Sequence, residues 1–224
     1  MAATSAEHHH PPHSRGSWLA WVLLDWGASS FSTIQITLMV AYVERVVFAN
    51  DPWDVPGGVV WAWTLGIAML TSALIAPLAA GWADRYARHR TALAASVFTG
   101  SLACLGLGLV PPSSPLLVTI MIVLSAVGFD LAAIFTAALL PAIADGADAD
   151  RLSARGFAAG YAGGALALVA AAALVGGSDA LGIDKTWALR ISFAGIGLWW
   201  LAFSLPAVMG GIPPLPAAAG GTGG

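Results

Sequence analysis

The chain has 224 residues, 58% of them hydrophobic and only 9% charged, and a mean hydropathy of +0.80. A water-facing domain carries about a quarter charged residues, so this composition excludes an ordinary soluble surface, and its apolar content excludes a disordered body. The net charge of −3, with no basic stripe, argues against a nucleic-acid partner. The single Cys104 excludes a disulfide framework, a cysteine-based zinc site and a CxxC redox pair. An all-α, multi-pass membrane protein remains, with the lipid bilayer as its first partner.

About 20 apolar residues in a helix cross the hydrocarbon core. Uncharged runs place six transmembrane helices at about 18–43, 59–81, 91–110, 116–143, 156–176 and 187–209. They make up a membrane domain over 17–210, between a disordered tail at 1–16 and a flexible Gly/Pro/Ala tail at 211–224. The first tail holds His8, His9, His10 and His13 among prolines. With no rigid scaffold to fix their geometry, these histidines read as a polar leader and not as a metal site. The first apolar run is too long for a cleaved signal peptide and carries Asp25. From Thr91 to Phe129 no charge occurs, which is too long for one ordinary span. Pro111-Pro112-Ser113-Ser114-Pro115 divides that run into two helices joined by a tight turn. Pro77 and Pro206 are expected to kink or end their helices. Cys104 reads as a small packing residue, and Trp199 and Trp200 as residues packed at the membrane interface.

Arginine and lysine placement sets the orientation. With a cytoplasmic N-terminus, the inside segments hold Arg15, Arg85, Arg88, Arg90, Arg151 and Arg155, and the outside segments Arg45, Lys185 and Arg190. The bias puts both termini in the cytoplasm, with the chain integral to the cell membrane.

Asp25 and Asp130 are the acidic residues well inside predicted spans. Asp25 lies about 10 Å from the cytoplasmic end of the first helix, and Asp130 about 20 Å below the outer end of the fourth. A carboxylate at that depth is costly and normally faces a cavity or a partner. Either residue can carry a proton in a coupled transport cycle, or tie two helices together as a hydrogen-bonded carboxyl. Gly156, Gly160 and Gly164 form a small-residue stripe on the fifth helix, where backbones approach closely. The stripe fits a sliding contact, static packing or a dimer face. The loop from Asp84 to Arg90 is a short cationic hairpin. Asp84 can cap a helix or pair with an arginine, and the arginines can latch onto acidic groups such as Asp145, Asp148 and Asp150 of a neighbouring loop. Plain positive-inside topology also accounts for the arginines.

That loop resembles the G-x-x-x-D-R-x-G-R-K signature of the major facilitator superfamily. Asp84, Arg85 and Arg88 match, Arg90 adds a cation, and the two motif glycines fall on Ala80 and Ala87. Asp25-Trp26-Gly27-Ala28-Ser29-Ser30-Phe31 is similar to the D-W-A-N-S-x-F element of the vacuolar effluxer-like (autophagy-related, "unknown major facilitator") branch. Phe135 to Pro141, including Thr136, resembles its F-Y-N-A-x-L-P. Gly160 to Gly164 resembles G-Y-x-G-G, and Trp199 to Pro206 resembles W-W-x-x-F-x-x-P. Ala28 and Ala137 stand where the branch has asparagines.

The resemblance implies the N-terminal half of a major-facilitator-type bundle, six helices arranged as a 3+3 inverted repeat. It implies a secondary active carrier of a small solute working by alternating access. Asp25, Ser29, Asp130 and Thr136 are the candidates for substrate or proton handling. Asp84, Arg85, Arg88 and Arg90 form the gating loop, and Gly156, Gly160 and Gly164 serve helix packing. A lone half lacks an opposite wall, so the expected partners include a second six-helix half or a second copy; a truncated gene product is a further explanation. The alternative function is a non-transporting membrane scaffold or assembly partner. No nucleophile–base set, HExxH or P-loop occurs, so neither an enzyme nor a cofactor is expected.

Overall fold

The uncharged runs become long helices because every backbone N–H and C=O must be satisfied within the segment once water is excluded. The fold is known from a computed structural model that describes residues 15–215; the histidine cluster and residues 216–224 lie outside the described residues. Among the described residues all regular structure is helical. Helix α1 spans Arg15–Ile34 and continues through two π-type turns, Gln35–Met39 and Val43–Val47, separated by Val40–Tyr42. Then follow α2 (Gly57–Tyr86), α3 (His89–Leu109), α4 (Pro115–Leu139), α5 (Gly146–Gly176) and α6 (Lys185–Pro206).

Among the described residues, five helical segments are long and apolar enough to cross a membrane: Gly57–Tyr86, His89–Leu109, Pro115–Ala142, Gly146–Gly176 and Lys185–Gly211. Helix α1 is not among these five, although it packs deep in the bundle. Its α-helical stretch is long enough, at 20 residues, but rich in polar residues, including Asp25, Ser29, Ser30, Ser32 and Thr33.

Local chemistry explains the helix ends. Pro115 occupies the first turn of α4, where its missing N–H costs nothing and its fixed φ suits a helix. The Asp184 carboxylate caps α6 by accepting from the Trp187 backbone N–H at 2.9 Å. Helix α2 runs on through Pro77, while the α-helical part of α6 stops at Pro206 and gives way to a π-type turn, Ala207–Gly211. Between α2 and α3, Ala87 adopts the left-handed conformation (φ 51°, ψ 42°). There the Arg88 N–H bonds the Ala83 carbonyl at 2.9 Å and the Ala87 N–H bonds that of Asp84 at 3.5 Å. This is the glycine-type helix stop made with an alanine at the position of the signature's second glycine.

Several boundaries differ from the sequence expectation. Helix α5 begins at Gly146, ahead of the uncharged run, and its first turns carry an exposed Asp148–Arg151 pair at 3.3 Å. Arg15 and Gly16 already belong to α1. Ile212 is fully buried and its carbonyl accepts from Arg90 at 3.5 Å, so the chain is still anchored past residue 211.

The most extensive pairings are α1 with α5, α3 with α4, and α3 with α6, followed by α1 with α6 and α2 with α4. At the centre sits Trp200, fully buried, stacked on Phe31 at 5.2 Å and edge-on to Phe129 at 6.2 Å. Gly100 makes room for its ring, and the backbones of Gly100 and Gly128 touch across the α3–α4 crossing. Trp200 is therefore a core residue, not an interface anchor; Trp199, partly buried, stacks on Trp26 at 5.8 Å. Arg190 is also internal. Its Nε and Nη2 donate to the Gly108 and Leu109 carbonyls at 3.1 and 2.8 Å, closing the C-terminal end of α3. Cys104 packs in α3 with its Sγ 3.4 Å from the Phe193 carbonyl.

Candidate functional site

Helix α1 comes unusually close to α5 because α5 offers glycines where they meet. Gly156, Gly160, Gly163 and Gly164 are all buried and lie against Trp21, Asp25, Trp26, Ser29 and Thr33 of α1. The glycine stripe is thus consumed inside the chain. It is not a surface for a dimer partner.

That close approach positions Asp25. Its carboxylate accepts a long 3.5 Å contact from the Ser29 hydroxyl, one helical turn on. The other side of Asp25 borders a cavity of about 240 Å³ between α1, α4 and α5, floored by Trp200. Thr136 and Ser153 contribute the other polar side chains of a wall that is otherwise aromatic and aliphatic. Ala28 and Ala137, the positions where the related motifs carry asparagines, line it too. Trp21 fixes one edge by donating its indole N–H to the Thr136 carbonyl at 3.2 Å, and Trp18 donates to that of Ile143 at 3.1 Å. The Trp200 indole N–H has no hydrogen-bond partner among the described residues.

Asp130 stands apart. It accepts from the Ser72 hydroxyl at 2.7 Å, a contact that ties α4 to α2, and it does not line this cavity. Asp25 and Thr136 line the cavity together, Ser29 reaches Asp25 from its own helix without lining the cavity, and Asp130 is not brought to them. Trp21, Phe129 and Trp200 belong to the cavity wall and were missed from sequence. An aromatic residue in an apolar helix gives no local sign of whether it faces lipid, core or cavity.

The charged loop is arranged differently from an arginine pair. Asp84, exposed at the end of α2, meets His89 Nε2 at 2.7 Å, and His89 is itself buried. Arg85 lies over the Tyr86 ring at 5.7 Å, and Arg88 is exposed to solvent. Arg90 reaches to the Ile212 carbonyl beyond α6. Asp148 pairs with Arg151 of its own helix.

A family model described as "Vacuole effluxer Atg22 like" matches residues 58–219. The chain is also 24% identical, over 192 residues, to the "Uncharacterized MFS-type transporter YxiO" of Bacillus subtilis (strain 168). That alignment covers 84% of this chain and 45% of the relative, so the chain spans about half the relative's length. The family is one of transporters and not of enzymes, in keeping with a bundle whose helices are built to cross a membrane more than once. The family match covers most of the chain, from the start of α2 past the end of α6: the chain belongs to the vacuole effluxer Atg22-like family of major-facilitator-type transporters.

Proposed function

We propose that the chain forms one six-helix half of a secondary active transporter that moves a small solute by alternating access. The observation that carries this reading is the cavity between α1, α4 and α5 with the Asp25 carboxylate in its wall. An acidic side chain at membrane depth is tolerated where it borders a polar or wet space. Asp25 handles the substrate or the coupling proton, with Ser29 and Thr136 beside it. Asp130 holds α2 against α4 through Ser72.

Helix pairing supports a 3+3 inverted repeat with α1 as the sixth span. Exchanging α1–α3 with α4–α6 turns the α1–α5 contact into the α4–α2 contact, and the α3–α4 contact into the α6–α1 contact. All of these pairs are packed. The half presents its cavity to a second six-helix half or a second copy. Asp84, Arg85, Arg88 and Arg90 form the cytoplasmic gating loop. Because Arg190 closes α3 internally, it is not a free outside charge, and the arginine bias towards a cytoplasmic N-terminus in the cell membrane grows stronger. The glycine stripe, buried on α1, offers a non-transporting scaffold no surface for association.

The test is uptake of labelled amines, neutral amino acids and sugars into vesicles holding the chain, alone and with any six-helix chain encoded next to it. Under an imposed pH gradient at least one solute accumulates, and Asp25→Asn abolishes this at unchanged protein level. If no member of the panel accumulates in either preparation, the transporter reading fails.

A further inference from the structure

We infer that the α1–α4–α5 cavity takes a monocationic amine with an apolar body, its ammonium group on Asp25 and its body against the aromatic wall. This inference rests on reading that cavity as the solute site.

Charge is the first reason. Among the described residues Asp25 is the only charged side chain lining the cavity; Thr136 and Ser153 are neutral, and no described lysine or arginine lines it. Arg155 lies over the Trp18 ring at 5.4 Å and is not part of the lining. An anion, or the carboxylate end of a zwitterion, would find no cation in this wall and one like charge. An ionised carboxylate in apolar surroundings needs a counter-charge. Its one described side-chain donor, Ser29, stands at 3.5 Å, while an ionised carboxylate has about four acceptor sites. An incoming ammonium fills that unmet capacity with charge-assisted hydrogen bonds.

Number is the second reason. Asp130 accepts from Ser72 and lies outside the cavity, so one negative group faces the solute and one positive charge matches it.

Shape and wall chemistry are the third. Trp21, Phe129, Phe157 and Trp200 line the space, and aromatic faces attract cations as well as apolar bodies. An apolar cavity of about 150 Å³ admits benzene. One of about 240 Å³ therefore admits a single ring with a short ammonium arm. Gly156 and Gly160 contribute by leaving the carboxylate uncrowded where α5 passes close to it: a Cβ at Gly160 would stand 3.2 Å from the Asp25 carboxyl carbon.

The experiment measures equilibrium binding to the purified chain in lipid nanodiscs at neutral pH. Its probes are phenethylammonium, neutral 2-phenylethanol and anionic 3-phenylpropanoate, alike in body and different in charge. Phenethylammonium is expected to bind saturably and at least about tenfold tighter than the alcohol, a difference of about 1.4 kcal/mol. Asp25→Asn should erase the preference while the melting temperature stays close to the parent's. Ala133→Phe, which fills the cavity at an exposed lining position, should remove binding of all three probes. Equal binding of the alcohol or the phenylpropanoate, an unchanged preference in Asp25→Asn, or no saturable binding would overturn the inference. Flux and binding separate the two claims. Cation-selective binding without uptake of any solute sinks transport alone, whereas uptake of a neutral solute without cation preference sinks the amine assignment alone.

Discussion

Gly160 of α5 lies directly against Asp25 of α1. A Cβ built on Gly160 would stand 3.2 Å from the Asp25 carboxyl carbon and 2.5 Å from the Ser29 hydroxyl oxygen. The close approach of two helices and the placement of the Asp25 carboxylate are therefore one feature. Gly160→Ala should destabilise the bundle by about 1–3 kcal/mol through overpacking, and should weaken whatever Asp25 binds. Gly66→Ala in α2, where a Cβ meets nothing within 4 Å, should be neutral or slightly stabilising because alanine favours helix. Adding Ser29→Gly to Gly160→Ala should recover part of the loss, since the two positions touch. Thermal unfolding of the three variants and the parent in detergent measures this. Equal effects at Gly160 and Gly66 would mean that the α1–α5 approach is looser than described.

Ala87 closes α2 in a left-handed conformation, with φ at 51°. A Cβ there costs roughly 1–2 kcal/mol relative to glycine. Ala87→Gly should raise stability by about 1 kcal/mol, the gain tempered by the extra freedom glycine has in the unfolded chain. Ala87→Val should lower stability, because a β-branched residue fits this conformation worse. Melting temperatures in the order Gly, Ala, Val are the expected outcome; the reverse order would contradict the turn geometry.

Arg190 is 9% exposed and donates to two carbonyls at the end of α3 while lying over the Trp187 ring at 4.2 Å. Removing it leaves buried acceptors unmet. Hydrogen bonds from charged groups contribute about 1.5–3 kcal/mol, so Arg190→Met should cost about that much. Arg190→Lys should recover little, since an ammonium cannot reproduce the two-armed geometry of the guanidinium. Unfolding curves for the two variants decide it, and full rescue by lysine would show that charge alone matters.

Orientation can be read at Arg88. His89 is a poor labelling position because it is buried on Asp84, whereas Arg88 is exposed in the same turn. In a Cys104→Ala background, Arg88→Cys should react with a membrane-impermeant maleimide only after the cytoplasmic face is opened. Labelling from the outside of intact cells would invert the proposed topology.

Contiguous residues settle one part of this architecture without any tertiary contact. Low charge and long uncharged runs required membrane helices, Pro111 to Pro115 required the break between α3 and α4, and the Asp84–Arg90 pattern marked the turn between α2 and α3. Those properties depend on solvation and backbone chemistry within one segment. Even here, α5 extends through charged residues such as Asp148 and Arg151, whose exposed side chains carry no burial cost, which an uncharged-run criterion cannot anticipate. Tertiary structure alone decided the rest. It separated Asp25, on a cavity, from Asp130, bonded to Ser72, although both are lone acids in apolar helices. It turned the glycine stripe inward onto α1, brought Trp200 to the centre and made Arg190 a helix cap. Each of these outcomes rests on which helices meet and at which register, a contact between residues tens to more than a hundred positions apart, and no local pattern encodes it.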